Sequence, residues 1–490
     1  MRKKKSLVRV GLAALTLAAN LPLKAAEEMP QTMEEMWRII QQQQKEIEAL
    51  KAKSQPVEEE AQPEVSKEAS ESTKESPKTA TSASEENTET KAQVKELEHK
   101  TGVLAEAVES LRTAMHIPEE FKYKSMYGFG PAASKVYQAG KGLSIGGYGN
   151  ALYQNFVNGD GKDNADLERV VLYVGYKFTD RILFNSEIEF EHGTTGEGDE
   201  EKGEVSVEFA SLDFFIDPRF NVRAGMLLLP MGFINLIHEP PFFFGNKRPE
   251  VEQRIIPSTW HENGVGLFGQ LWPGLTYTMY GVNGLNAEEF SSRGIRDGRQ
   301  AGSKALAEDL AFVGRLEYSP PAMLGLSFGG SAYVGNSGQD QSYAGQDLDV
   351  FTQLYEGHLQ WQYRGWWLRA LGAWGHIGDA EALSAAKGET IGKSNFGWYT
   401  ELAYNLLPLV WPETIQYLAP FFRFEQLNTI ASAPAGFSDK GGINQDIYQV
   451  GINYKPIPNV VIKADYRNFV GRDSNPSAAD EFNLGLGFIF

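Results

Sequence analysis

From Gly142 onward, apolar and polar residues alternate with a period of two. The last ten residues show the pattern clearly, because large apolar side chains occupy every second position and small or polar ones stand between them. The apolar set is Phe482, Leu484, Leu486, Phe488 and Phe490. A period of two places alternate side chains on opposite faces of a β-strand. The pattern therefore predicts strands with one apolar and one polar face.

The same alternation predicts sixteen strands with gaps that are alternately short and long. Their expected bounds are 142–156, 166–179, 181–191, 204–217, 219–229, 262–271, 274–284, 308–318, 324–335, 349–363, 365–376, 394–406, 416–428, 444–455, 458–469 and 481–490. An even number of strands, with short turns at one rim and long loops at the other, is typical of a transmembrane β-barrel. The aromatic end of the last strand agrees, and Phe488 and Phe490 are its expected assembly signal. A soluble terminal strand is the alternative for those ten residues.

Charged residues fall on the face opposite the apolar one. A charge facing lipid near the bilayer midplane would cost about 2–4 kcal/mol, so this face is expected to line the lumen. The basic candidates for the lumen wall are Arg169, Lys177, Arg223, Arg315, Arg369, Arg423, Lys463 and Arg467. We expect some to be ion-paired, and the set as a whole to require water. A barrel of this size is wide enough for an aqueous pore unless a loop narrows it.

The first part of the chain has a different pattern. Residues 1–26 combine a basic start, an apolar stretch and small residues, which predicts a signal peptide. Heptads of apolar residues predict a coiled coil over 27–55 and a second over 92–118, although helices packed on their own domain are the alternative. Residues 56–91 are rich in Glu, Ser, Thr, Lys and Pro and predict a disordered linker. Residues 119–141 would connect these to a barrel domain over 142–490.

Composition narrows the function further. The chain has no cysteine, which excludes disulfides and thiolate metal sites. Its formal charge of −18 argues against nucleic-acid binding. The seven histidines lack metal-binding spacing, so we expect no metal and no cofactor. A G-x-S-x-G match at residues 142–146 lies in a predicted strand with no helix after it, so we expect no hydrolase and no other enzyme.

Two segments are candidates for the narrowest part of a pore. The longest gap, 230–261, is rich in aromatic residues and proline, and we expect it to fold into the barrel. An outward loop is the alternative. Its charged candidates are His238, Glu239, Lys247, Arg248, Glu250, Glu252 and Arg254. The second segment contains Arg293, Arg296 and Arg299, whose spacing of three would align guanidinium groups suited to carboxylate or phosphate. A solvated loop face is the alternative here.

Residues 222–269 resemble the phosphate-selective porin O and P family. The resemblance rests on residues 223–226 (Arg-Ala-Gly-Met), 229–235 (Leu-Pro-Met-Gly-Phe-Ile-Asn), 238–241 (His-Glu-Pro-Pro), 248–252 (Arg-Pro-Glu-Val-Glu), 255–260 (Ile-Ile-Pro-Ser-Thr-Trp) and 264–266 (Gly-Val-Gly), with 296–300 (Arg-Asp-Gly-Arg-Gln) as a further piece. It covers roughly 142–490. It implies a sixteen-stranded outer-membrane porin, a homotrimer, and a third loop folded inward.

These observations lead to one expected function and one alternative. We expect a bacterial outer-membrane porin that passes small hydrophilic solutes, with anions such as phosphate as the finer expectation, and a coiled coil in the periplasm. Its partners would be outer-membrane lipid, the solutes and sister subunits, with no nucleic acid. The alternative is an envelope-tethering or adhesive protein that acts through its coiled coil. The sequence does not establish contact with peptidoglycan.

Overall fold

A computed structural model describes residues 125–159, 161–194, 203–473 and 475–490. The predicted signal peptide, coiled coils and linker lie outside these ranges. The strands are β1 Gly142–Phe156, β2 Asn164–Lys177, β3 Ile182–Glu191, β4 Val205–Asp217, β5 Phe220–Leu228, β6 His261–Trp272, β7 Leu275–Asn283, β8 Leu310–Tyr318, β9 Leu326–Asn336, β10 Ser342–Tyr343, β11 Gln346–Asp347, β12 Phe351–Tyr363, β13 Trp366–Ile377, β14 Ser394–Tyr404, β15 Tyr417–Ser432, β16 Asn444–Ile457, β17 Val460–Gly471 and β18 Glu481–Ile489.

Sixteen of these strands form one closed antiparallel barrel, in which β18 pairs with β1. The remaining two, β10 and β11, form a small hairpin in the loop between β9 and β12. All sixteen predicted strands are confirmed. The largest difference in bounds is at the end of β15, which reaches Ser432 rather than residue 428.

The connections divide the barrel into two rims. At the short-turn end, β2, β4, β6, β8, β12 and β16 lead into the next barrel strand through turns, and β1 begins there. At the same end, residues 405–416, which include a short helix, connect β14 to β15. At the long-loop end, longer segments connect β5 to β6, β7 to β8, β9 to β12 and β13 to β14. The helices of the described residues are short: α1 Lys135–Gln138, α2 Ala380–Lys387 and α3 Leu407–Val410. There are also 3-10 turns at Pro240–Phe242, Ala287–Glu289 and Arg296–Gly298 and a π-helical turn at Val251–Ile255. No helix within the described ranges is both long and apolar enough to cross a membrane.

The two faces of the sheet differ as the alternation predicts. Along β18, Phe482, Leu484 and Leu486 are exposed on the outside, whereas Asn483 is fully buried on the inside. Along β13, the exposed Trp374 points outward and the buried Arg369 points inward. The barrel is therefore apolar outside and polar inside.

The ring closes where β18 meets β1, and two glycines make room there for aromatic rings. A Cβ atom at Gly147 would lie 2.6 Å from the ring of Phe490, and one at Gly149 would lie 2.7 Å from the ring of Phe488. The backbones of Gly147 and Phe490 also exchange hydrogen bonds of 3.0 and 2.9 Å. The two terminal aromatic residues thus cover the junction, while their role as an assembly signal stays a prediction.

Candidate channel interior

The segment between β5 and β6, residues 229–260, lies inside the barrel and is called the inner loop. Side chains on the inward face of the opposite wall hold its backbone. Arg423 of β15 donates to the carbonyl oxygen of Phe244 at 2.6 Å. Lys463 of β17 donates to the carbonyl oxygens of Phe243 and Gly245 at 2.9 and 2.8 Å. These contacts confirm that the loop folds inward. Its role as the constriction stays a prediction.

Glu252 fixes the shape of the inner loop from within. Its carboxylate accepts hydrogen bonds from the backbone N–H groups of Phe233 and Ile234, both at 2.7 Å, and from the hydroxyl of Tyr399 at 2.6 Å. Burial raises the pKa of Glu252, and these donors partly offset that shift. Glu252 is fully buried, so it is a structural anchor of the loop and does not face a cavity.

A cavity of about 160 Å³ opens between the inner loop and the β1–β3 wall, toward the long-loop end. We call it the long-loop cavity. Its lining includes four cationic side chains, Arg169, Lys247, Arg248 and Arg296, and two acidic ones, Glu168 and Glu191. The acidic groups are partly committed, because Lys247 forms an ion pair with Glu168 at 2.9 Å. Arg169 is likewise paired, with Glu189 at 3.1 Å. Positive charge exceeds negative charge among the lining side chains, and Arg248 and Arg296 are the lining cations that have no ion pair within the described ranges.

The predicted arginine triplet is divided in the structure. Arg296 and Arg299 both donate to the carbonyl oxygen of Ser258, at 2.7 and 2.6 Å. Arg299 also donates to the carbonyl oxygen of Thr259 at 2.7 Å. Arg293 is exposed, and its charge is not among those that act most strongly on Arg296. The 3-10 turn at Arg296–Gly298 brings only two of the three guanidinium groups to the inner loop.

Positive charges in this region repel one another. Burial, and then the charges of Arg299, Arg248 and Arg254, lower the pKa of Arg296. Burial and the charge of Arg169 likewise lower the pKa of Arg248. A guanidinium group stays protonated at neutral pH, so the repulsion is not relieved by loss of a proton. Within the described ranges neither Arg248 nor Arg296 forms an ion pair, and an anion entering the cavity would offset this repulsion.

A larger cavity of about 890 Å³ opens at the other rim and is called the short-turn cavity. It reaches from turn residues such as Arg181 up to Gly232, Arg315 and Arg369. The inner loop separates the two cavities. Ile237 lines the short-turn cavity, and the next residue, His238, lines the long-loop cavity.

All eight basic lumen-wall candidates face inward, but most are buried and paired. Arg423 is paired with Glu401 at 2.5 Å, Arg467 with Glu250 at 3.0 Å, and each is 1% exposed. The remaining contacts join Arg169 to Glu189, Lys177 to the carbonyl of Ala139, Arg223 to Asp213, Arg315 to Glu317, Arg369 to Gln360 and Lys463 to the inner loop. We expected the basic side chains of the wall to be solvated by water. This expectation is wrong for Arg423 of β15 and for Lys463 and Arg467 of β17, which instead bind the inner loop.

The other loop candidates also have defined partners. The ring of His238 lies 3.0 Å from the carboxylate of Glu187, and both are buried. Glu250 bridges Arg254 at 3.2 Å and Arg467 of β17. Glu239 is buried under the segment that precedes β1, and burial raises its pKa to about 8. Among the described residues, no group of three or more His, Asp or Glu side chains is arranged to hold a metal ion.

The sequence did not identify one part of the interior, residues 125–139. They were expected to be a connector, yet Phe129, Ala132, Ala133 and Val136 are buried inside the barrel. Small and aromatic residues clustered ahead of the first strand were the available signal. A second signal was a glycine, Gly175, at an inward-facing position of β2. In the structure, Val136 fills the space that a side chain at Gly175 would take.

Comparisons with known proteins gave one related sequence and several similar barrels. An uncharacterized protein of Aquifex aeolicus is 42% identical over 368 residues, which cover 73% of this chain and 82% of that protein. No family model matches the chain. The phosphate-selective porin O and P resemblance therefore stays an interpretation of the sequence.

Three solved structures illustrate the similar barrels. OmpF of Salmonella typhi, in complex with daunomycin, has a TM-score of 0.48 and 14% identity, covering 71% of this chain and 97% of OmpF. The outer membrane channel DcaP of Acinetobacter baumannii has 0.47 and 13%, covering 71% and 97%. The trimer form of OmpT of Vibrio cholerae has 0.43 and 9%, covering 72% and 100%. All three TM-scores are below 0.5, so the assignment of a barrel fold is based on the strand pairing of this chain.

Proposed function

This chain belongs to the same protein family as the uncharacterized protein of Aquifex aeolicus, and we propose that it is an outer-membrane channel for small hydrophilic solutes with a preference for anions. The observation that carries the proposal is a closed barrel of sixteen strands with an apolar outside and a polar, cavity-containing inside. Among membrane-spanning structures, such a barrel pairs every strand edge and can enclose a path for water.

The outer face supports a location in a bilayer. Large apolar side chains are exposed along the strands, and several are aromatic: Trp361, Trp366, Trp374 and Trp398 are each about two-fifths exposed. Aromatic residues are enriched where a membrane meets water. In this proposal the short-turn end faces the periplasm of a bacterial cell, as in other barrels with short periplasmic turns.

The anion preference rests on the long-loop cavity. Its four cationic side chains outnumber its two acidic ones, and Arg248 and Arg296 form no ion pair within the described ranges. Arginine binds the oxygens of carboxylate and phosphate in pairs. Phosphate is the finer proposal because the two guanidinium groups without an ion pair in the described ranges, those of Arg248 and Arg296, border a space of about 160 Å³.

A homotrimer and a periplasmic coiled coil remain predictions. The segments expected to form the coiled coil, 27–55 and 92–118, lie outside the described residues. The tethering alternative depends on those same segments.

Competition between phosphate and chloride tests the finer proposal. Phosphate added to a single channel in a planar bilayer bathed in KCl is expected to reduce the chloride current, since both anions would use the long-loop cavity. Half-block at about 1 mM, equivalent to about −4 kcal/mol, would fit a solute that must also leave. The Arg248→Gln variant should need much more phosphate. An undiminished chloride current at high phosphate would contradict a phosphate site and leave a channel for other solutes.

A further inference from the structure

Residues 125–139, called the plug segment, occupy the inside of the barrel near the short-turn end. Three of their buried side chains, those of Phe129, Ala132 and Ala133, pack in one cluster with inward-facing residues of the wall. The wall residues of this cluster are Tyr148, Val171, Tyr173, Phe209 and Ile489, from β1, β2, β4 and β18. The segment thus has an apolar seat on four strands and is not a loose connector.

Two glycines on the inward face of the wall leave space that the plug segment occupies. A Cβ atom at Gly175 of β2 would lie 2.6 Å from the Cβ of Val136. A Cβ atom at Gly146 of β1 would lie 2.9 Å from the carbonyl oxygen of Ala132. Any larger side chain at Gly175 would occupy the space of Val136, so the seat depends on glycine at that position.

Polar contacts hold the other side of the plug segment. Arg223 of β5 donates to the carbonyl oxygen of Tyr127 at 3.2 Å, and its guanidinium lies 4.3 Å from the ring centre of Phe129. The hydroxyl of Tyr137 donates to Asp213 at 2.8 Å. These contacts fix the segment across the barrel, from β1 and β2 to β5.

The plug segment also contacts the inner loop where the loop separates the two cavities. The carboxyl group of Glu239 accepts hydrogen bonds from the backbone N–H groups of Ala132 at 2.9 Å and Ala133 at 3.4 Å. Gly130 leaves room for it, because a Cβ atom there would lie 2.6 Å from the carboxyl oxygen. Glu239 directly follows His238, which lines the long-loop cavity, and Tyr127 and Phe129 line the short-turn cavity.

We propose that residues 125–139 are a plug that restricts flow between the two cavities through their contact with Glu239, and that displacing the plug opens the channel further. The proposal rests on the channel function above. The second carboxyl oxygen of Glu239 is buried and has no hydrogen-bond partner in the described part of the chain. Such an unsatisfied group makes the closed contact costly, which favours a contact that can be released.

Displacing the plug from its seat is the first test. Gly175→Leu in the full chain places a large side chain where Val136 lies and is expected to raise single-channel conductance severalfold. Gly357→Leu on β12 is the control for the glycine-to-leucine change itself, because Gly357 is exposed on the outward face and a Cβ atom there has no neighbour closer than 4.0 Å. Equal conductance in the two folded variants would overturn the proposal.

A disulfide lock is the second test and does not depend on Gly175→Leu folding. The chain has no cysteine, so Val136→Cys with Gly175→Cys introduces the only pair. Their Cβ atoms would be 2.6 Å apart, and a shift of about 1 Å brings them to the spacing of a disulfide. The oxidised protein is expected to conduct weakly, and a thiol reductant should raise the conductance severalfold.

The outcomes of the lock are distinct. A disulfide confirmed by gel mobility, with the same conductance before and after reduction, would overturn the plug while leaving the channel intact. Absence of current from the wild type and every variant would contradict the channel function itself, and the plug with it.

Discussion

Replacing Arg248 and Arg296 together with glutamine is expected to abolish the anion preference and to lower chloride current on the order of tenfold, because excess positive charge in a cleft raises the local concentration of anions. Both side chains line the long-loop cavity and lack a carboxylate partner in the described ranges. When both guanidinium groups are removed, the carboxylates of Glu168 and Glu191 make up a larger share of the charged groups that line the cavity. Reversal potentials across a KCl gradient measure the change.

The control is Arg293→Gln, which removes one guanidinium charge from an exposed position outside the lining of the cavity. It should leave the selectivity of the wild type almost unchanged. The effect of the double variant should also shrink from about 0.1 M to about 1 M salt, because the Debye length falls from about 10 Å to about 3 Å. A double variant with the selectivity of Arg293→Gln would contradict the assignment of anion preference to this cavity.

Arg423→Met is expected to destabilise the barrel by about 3–5 kcal/mol, since it leaves the buried carboxylate of Glu401 without its charge partner. Arg423 is 1% exposed and donates to Glu401, to Gln449 and to the carbonyl oxygen of Phe244. Its loss also frees part of the inner loop. The urea midpoint of unfolding should fall, and the open-channel current should become noisier.

Arg472→Met provides the comparison, because Arg472 forms a more exposed ion pair with Asp446 at 2.9 Å. Exposed pairs contribute about 0–1 kcal/mol, so this variant should unfold close to the wild type. Equal midpoints for the two variants would show that Arg423 does not anchor the inner loop.

The barrel was predictable because each strand carries its own signal. Alternation of apolar and polar residues fixes both the existence of a strand and the face that points outward, as in β13 and β18. The sequence pattern says less about where a strand ends. The backbone pairing of β15 continues past the last alternating residues to Ser432, which no side-chain pattern marks.

The interior was predictable only in part, because it depends on contacts between distant segments. Charge and parity placed Arg423 and Lys463 on the inner face, but not their hydrogen bonds to a loop about 180–220 residues earlier. A spacing of three did not bring Arg293 to Arg296, since the chain between them does not form a continuous helix. The plug segment was missed because its burial depends on the wall around it.

Single-channel recording of the wild-type protein in a planar bilayer, with reversal potential across a KCl gradient, tests the central claim most directly. The account predicts discrete current steps and a reversal potential displaced toward that of chloride. Absence of current steps from folded protein would contradict the channel, and a reversal potential displaced toward that of potassium would contradict the anion preference.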